Sequence, residues 1–409
     1  MANREYPNGG GSSAEDVSKS FKLLRPDGHL LLSKRRSLCK LFKNKTKLSL
    51  LDKREYPNGG GSLTEPTSKT TPMNPMRTLA TIILLLFTHT IISATGKREY
   101  CSIAFYNLEN LFDTIHDDGK NDYEYLPKGK NRWDSKKYKS KISNLATVLS
   151  EIDGGNAALI GVCEVENEGT LKDLLAHPRL ARKKLNYIHR ESSDARGVDC
   201  ALIYDSRQFT PQRTILVPYS DTITSHRTRG YLIVSGKLQG EEVHIIVNHW
   251  PSRYSKSPSR EYAAMRVKHL KDSIAAAAPH SKIIIMGDFN DNPDNKSLKE
   301  CLKAHRTVAE VRSATDLYNP WWDILRREKR GSIKYRDRWQ LYDQIIVSGN
   351  LCGKGKGLRY EKCEIYTRPH MMNHEGNYAG YPKRTIAGEK WINGYSDHLP
   401  VVVYLCKSK

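Results

Sequence analysis

Six apolar runs in this sequence each adjoin a cluster of amides, carboxylates or imidazoles. Asn107 and Glu109 mark the first, Glu164 and Glu166 the second, Asn248 and His249 the third, and Asp288 with Asn290 the fourth. Asp343 marks the fifth, and Asp397 with His398 the sixth. A single cluster of this kind is ordinarily a turn or a helix cap, because Asn and Asp satisfy local backbone groups. Six of them are hard to account for by capping. Brought together, they would form a hard-oxygen cation site flanked by acid–base groups.

The elements that must carry these residues follow from the pattern. SIAFYNLEN and ALIGVCEVEN read as buried strands, and so do KIIIMGDFNDNP, LYDQIIVS and SDHLPVVVYL. VDCALIYD, TILVPY, YLIVSGKL and EVHIIVNHW are closely spaced and rich in β-branched residues, as in antiparallel β-structure. Ile142, Leu145, Leu149 and Ile152 recur at intervals of three and four, which predicts a helix over 135–152. A second helix is expected over 259–278, ending at an Ala run before Pro279. Residues 313–338 and 351–394 read as long basic and aromatic loops, and loops of that length are usually functional. No long Gly/Pro linker divides 97–409, so this stretch reads as one α/β (α+β) domain.

The chain of 409 residues carries a formal charge of +21, with 38% hydrophobic and 27% charged residues. This composition excludes collagen, a disulfide-dense miniprotein and a polytopic membrane protein. Residues 1–72 hold 14 Lys and Arg against 7 acids, and Arg77 is the one charge in 73–96, which leaves +13 on 97–409. REYPNGGGS occurs at 4–12 and again at 54–62 within a Pro-, Gly- and Ser-rich stretch that offers no core. That stretch is read as a disordered basic segment or as sequence upstream of a misplaced start. Within 73–96 the apolar run 79–94 is short for a membrane span and fits a signal-peptide core, with Ser93, Ala94 and Gly96 near the cut. Export to a periplasmic or extracellular space is the expectation, with a signal anchor as the alternative. Seven of eight cysteines follow the run, so they cannot all pair within one chain. Cys163 and Cys200 read as buried thiols, Cys352 and Cys363 as a candidate bridge, and the absence of CxxC argues against structural zinc.

The ordered motifs FYNLENLFD, GVCEVEN, RGVDCALIYD, VNHWPSR, MGDFNDNP, YDQIIVS and YSDHLPVV resemble those of the endonuclease/exonuclease/phosphatase superfamily, the DNase I-like fold, over roughly 100–406. The resemblance implies a four-layer sandwich of two mixed β-sheets flanked by helices, with the active site at one rim. It also implies a Mg²⁺-dependent phosphoric ester hydrolase, with Mn²⁺ as an alternative ion. Glu164 matches the metal-binding Glu, with Asp397 as second ligand or His398 orienter and Asn107, with Glu109 less central, in the outer shell. Asp288 would act as base or position water, and Asn290 would donate to a phosphate oxygen. His398 would contact phosphate or serve as base, its tautomer fixed by Asp343. His249 would protonate the leaving oxygen or stabilise the phosphoryl group. Arg196 or Asp199 would orient His249 or bind phosphate, and Asn248 and Trp250 would border the substrate.

Glu166 reads as a surface or loop residue. Trp321, Trp322 and Trp339, set among Arg and Lys, read either as base-stacking platforms or as loop anchors, and Lys354, Lys356 and Arg359 as a solvated charge run. The substrate expected is a phosphodiester, foremost nucleic acid, acted on by a monomer with no obligate protein partner. The alternatives are a phosphatase or a sphingomyelinase- or inositol-phosphate-type phosphodiesterase, and, from another class, a non-catalytic surface-binding protein. Retention of Glu164, Asp288, Asp397 and His398 argues against the last.

Overall fold

A computed structural model describes residues 99–220, 227–353 and 356–408. The basic segment 1–72 and the apolar run 79–94 lie outside the described residues. Among those described, no helix is long and apolar enough to cross a membrane.

The strands are β1 (Glu99–Leu111), β2 (Leu159–Val165), β3 (Leu185–His189), β4 (Asp199–Asp205), β5 (Phe209–Ser220), β6 (Arg227–Leu238), β7 (Glu241–His249), β8 (Lys282–Asp288) and β9 (Ala304–His305). They continue as β10 (Leu317–Tyr318), β11 (Ile333–Tyr335), β12 (Arg338–Gln340), β13 (Asp343–Ser348), β14 (Gly357–Ile365), β15 (Ile386–Ala387), β16 (Lys390–Trp391) and β17 (Val401–Ser408). The α-helices are α1 (Ser135–Glu151), α2 (Glu168–Ala176), α3 (Ser257–Ala277) and α4 (Trp322–Arg326). Two large sheets result, one ordered β14-β17-β1-β2-β4-β3 and the other β5-β6-β7-β8-β13-β10-β9. Both are mixed, because β1–β2 and β7–β8 run parallel beside antiparallel neighbours.

The side-chain alternation of the strands builds the layers. Ile284, Met286, Ile245, Val247, Ile345 and Val347 join the core shared with the first sheet. Their neighbours Ile283, Ile285, Ile246 and Ile346 pack with Ala263, Ala264 and Val267 of α3. Helix α1 buries Leu145, Ala146, Val148 and Leu149 in the first core, and the side chain of Asp134 caps it by accepting from the Lys137 N–H. This is the expected sandwich of helix, two sheets and helix. The sheets meet closely at Gly161, where a Cβ would stand 2.4 Å from Met286 Sδ.

Both expected helices form within two residues of their predicted ends. The loop readings need correction. Residues 357–365 are an edge strand paired with β17, and 313–338 holds β10, α4 and β11. An edge strand buries little, and Arg359, Glu361, Lys362 and Glu364 conceal its alternation from a hydropathy reading. Helix α2 and strand β3 are further elements that the pattern does not announce. The candidate bridge does not form: Cys352 and Cys363 donate to separate carbonyls rather than to each other.

Candidate active site

Strand register assembles the site. His249 lies beside Asp288 across β7–β8, and Asp288 beside Asp343 across β8–β13, so three of the six polar ends share one row. This row requires a glycine at 287, where a Cβ would come within 2.4 Å of the Asn248 carbonyl oxygen. In the facing sheet, register shifts interrupt both β1 after Asn107 and β2 between Cys163 and Val165. Glu164 sits in that second irregularity with φ of 62°, a conformation that re-aims its side chain.

The two rows meet at Asn107. Its amide nitrogen donates to Glu164 Oε1 at 3.3 Å and to Asp288 Oδ2 at 3.1 Å, while its oxygen accepts from the Glu109 N–H. Glu164 Oε2 accepts from the Asn110 N–H at 2.9 Å. His249 Nε2 stands 3.8 Å from Glu164 Oε1 and 3.7 Å from Asp288 Oδ2. His398 Nδ1 bonds Asp343 Oδ2 at 2.6 Å, and its Nε2 lies 4.0 Å from both Asp288 and Asp397. Asn290 has φ of 51°; its N–H donates to Asp288 Oδ1 and its amide to the Trp250 carbonyl.

Burial and neighbouring charge give these groups different protonation states. Burial and then Asp343 push Asp288 up to about 7. Burial opposes a charge on His398, but the Asp343 carboxylate and its hydrogen bond outweigh it and hold His398 well above its ordinary value. Burial, together with Arg229, Arg196 and His398, drives His249 well below its own. At neutral pH the pair is therefore a cationic His398 on Asp343 and a neutral His249.

The other predicted residues are placed as follows. Asp397 Oδ2 accepts from Arg384 at 3.0 Å, and Arg384 also reaches Glu109 at 3.3 Å, so Asp397 is tied to a guanidinium rather than joined to Glu164. Asn248 is fully buried, donating to the Ile246 and Met286 carbonyls and accepting from Trp250. Trp250 packs edge-on to Phe289 in the core. These two side chains support the strand ends and present no surface to a substrate. Asp199 is buried against His189 at 3.0 Å and the Ser192 N–H, away from the His249 role expected of it. Arg196 is half-exposed beside Asp194 and acts on His249 through its charge.

Glu166 is buried, not superficial, and accepts from the Asp113 N–H at 2.6 Å; burial pushes it up to about 9. Trp321 is an anchor, wholly buried and donating to the Ile345 carbonyl at 2.9 Å. Three residues escaped the sequence reading. Lys141 is buried on α1 with Nζ on Thr385 Oγ1 and the Tyr395 carbonyl, 3.8 Å from Glu109. It falls on the same stripe as Leu145 and Val148, and a lysine on an apolar stripe signals a buried partner. Arg384 lies in a stretch without periodicity and gave no signal. Arg229 binds Asp194 and the Trp250 carbonyl.

These donors fit a divalent cation that prefers oxygen. Two carboxylates, Glu164 and Asp288, aim at one amide, and their repulsion is the kind a hard cation relieves. Cys163 lies within reach of His249 and Asp288, but burial pushes its thiol well above the ordinary range, which leaves the oxygens as ligands.

Comparison with known proteins places this rim in context. Protein angel of Drosophila melanogaster is 20% identical over 173 residues, covering 41% of this chain and 47% of that protein. The chain thus spans about half the length of this relative. A mannosyl-6-phosphatase of Bacteroides thetaiotaomicron is 17% identical, covering 75% of this chain and 99% of that one, with a TM-score of 0.48. A humanized D. rerio TDP2 is 12% identical, covering 75% and 98%, also with a TM-score of 0.48. Residues 102–407, three-quarters of the chain and all six polar strand ends, match one family throughout. With its two mixed sheets and their shared polar rim, the chain belongs to the Endonuclease/Exonuclease/phosphatase family, whose members are hydrolases of phosphate esters.

Proposed function

We propose that this protein hydrolyses phosphodiesters, foremost those of nucleic acid, with Mg²⁺ or Mn²⁺ at Glu164. The observation that carries the reading is the meeting of Glu164, Asp288, His249 and the Asp343–His398 pair around Asn107. Glu164, with Asn107 and Asp288, would hold a divalent ion, which would supply Lewis-acid neutralisation of charge on the phosphoryl oxygens. Asp288, set near neutral pH, takes the proton of the attacking water. Cationic His398 donates from Nε2 to a phosphoryl oxygen, while Asp343 holds its other nitrogen. His249 is neutral and its Nε2 faces the two carboxylates, so it donates a hydrogen bond, without adding charge, to the ester oxygen that leaves phosphorus as the water oxygen bonds to it, and that oxygen takes its proton from solvent. Asn290 fixes Asp288 through its backbone N–H. The charge of +13 on residues 97–409 supports a polyanionic substrate.

A panel of duplex DNA, single-stranded DNA, RNA, sphingomyelin, inositol phosphates and a phosphomonoester, each with Mg²⁺, Mn²⁺ or EDTA, tests this reading. Cleavage of a nucleic acid with Mg²⁺ and none with EDTA is the expected result. Turnover confined to the phosphomonoester or to the lipid would replace it.

Export is proposed on the apolar run 79–94 alone. Mature protein from the native source is then expected to begin near Thr95 or Lys97. N-terminal sequencing that reads Ala2 would contradict it.

A further inference from the structure

Beside Asp397 opens a cavity of about 870 Å³ that the chemistry above leaves without a role. One wall is the β11–β12 hairpin, which grows directly from the catalytic strand ends. Ile333 bridges His398, the Leu399 N–H donates to the Ser332 carbonyl at 2.7 Å, and the Asp343 N–H donates to Ser332 Oγ at 3.2 Å. The facing wall comes from residues 373–392 and includes Arg384, the partner of Asp397.

The hairpin is strained and clamped. Arg336 and Asp337 both have positive φ, 47° and 59°, in a turn geometry that normally recruits Asn-Gly. Tyr381, from the opposite wall, accepts from the Asp337 N–H at 2.7 Å and donates to Asp337 Oδ1 at 3.0 Å. Strain that persists because a second segment holds it is characteristic of functional sites.

The lining is both aromatic and cationic. Tyr335 and Tyr378 leave 59% and 62% of their surface open, whereas Trp133, Trp250 and Trp321 are sealed in the interior. Lys334 lies 4.6 Å from the Tyr381 ring centre, and Arg336 lies 5.3 Å from that of Tyr335. Lys390 adds a further cation. Open rings interleaved with positive charge suit a ligand that has flat faces and phosphates together. A base inside a duplex hides its faces, and a sugar phosphate has none to offer.

We propose that this cavity is the subsite for an unpaired nucleotide adjoining the scissile phosphate, which makes the protein selective for single strands. The base stacks on Tyr335 and Tyr378, and the neighbouring phosphates meet Lys334, Arg336 and Lys390. The assignment rests on the phosphodiesterase reading above and adds strand selectivity to it.

Fluorescence anisotropy of the full chain in EDTA tests it without cleavage. The probes are a labelled ten-nucleotide oligothymidine, its duplex with oligoadenosine, and an abasic strand of equal length. The oligothymidine is expected to bind about tenfold tighter than the abasic strand, within the range of base–aromatic stacking. Tyr335→Ala and Tyr378→Ala should each erase most of that difference, as both residues are exposed and replaceable without loss of the fold. Lys334→Ala and Arg336→Ala should weaken both single strands alike and flatten the salt dependence by about 0.7 for each phosphate that is no longer neutralised. Equal binding of the oligothymidine and abasic strands, duplex preference, or tyrosine variants that weaken both single strands alike would overturn the proposal. Because binding is read without turnover, failure of the substrate panel and failure here are separate results.

Discussion

Replacing Asp288 with Asn is expected to lower kcat about 10²- to 10⁴-fold, the range for loss of a general base. Asp288 is buried in the row between His249 and Asp343 and is pushed up to about 7 by that burial and by Asp343. As base it must be ionised, so the wild-type rate should rise with pH along an acid limb at or below 7, because a cation bound at Glu164 would favour the carboxylate. That limb should vanish in Asp288→Asn. The same substitution separates catalysis from folding. A carboxyl raised above its ordinary 3.8 keeps in the folded state a proton that the unfolded chain releases. Its contribution to stability is therefore present at low pH and declines between about 4 and 7. Asparagine cannot titrate, so the variant's Tm should fall less across that window and should not lie below wild type at pH 8. Near-wild-type turnover, or an acid limb that persists, would refute the role.

The second large effect is shared by two residues. His398 Nδ1 and Asp343 Oδ2 are joined at 2.6 Å, both residues are buried, and the other carboxylate oxygen, Oδ1, has no hydrogen-bond partner among the described residues. His398→Gln and Asp343→Asn should each reduce kcat/KM about 10²- to 10⁴-fold. The double variant should be little worse than either single one, because residues acting as a unit are non-additive. The pH profile distinguishes this from a structural role. His398 holds its proton well above the usual histidine range because of Asp343. The alkaline fall in rate should therefore move to lower pH in Asp343→Asn, which retains the shape and loses the charge. Losses that multiply, or an alkaline limb that does not move, would show that the pair does not work as one.

How much of this is legible in the sequence depends on the physical signal each residue leaves. The six polar ends stand out because buried strands are continuous apolar runs, and an abrupt switch to Asn, Asp, Glu or His breaks the pattern. Register then does the assembly, which is why His249, Asp288 and Asp343 share a row. Asn248 and Trp250 share motifs with functional residues, yet side chains alternate along a strand and theirs turn inward. Spacing along the chain does not say which strand a neighbouring acid will face, and Asp199 is claimed by His189. Strand β14 and the arm over 373–392 carry little buried apolar surface, so periodicity has nothing to register. The tryptophans attract attention by size, but Trp321 goes to the core while the smaller Tyr335 and Tyr378 stay open.

The central claim is that the rim is one cation-dependent phosphoester site organised by Glu164, whose Oε1 and Oε2 meet Asn107 and the Asn110 N–H. The measurement closest to it is the rate of bis(p-nitrophenyl) phosphate hydrolysis as Mg²⁺ is titrated into metal-free wild type and Glu164→Gln. The wild-type rate should be near zero in EDTA and saturate with Mg²⁺. The variant should need at least about tenfold more Mg²⁺ and reach a lower plateau, since loss of a carboxylate removes a charged oxygen ligand. A full wild-type rate in EDTA, or two titration curves that superimpose, would contradict the claim.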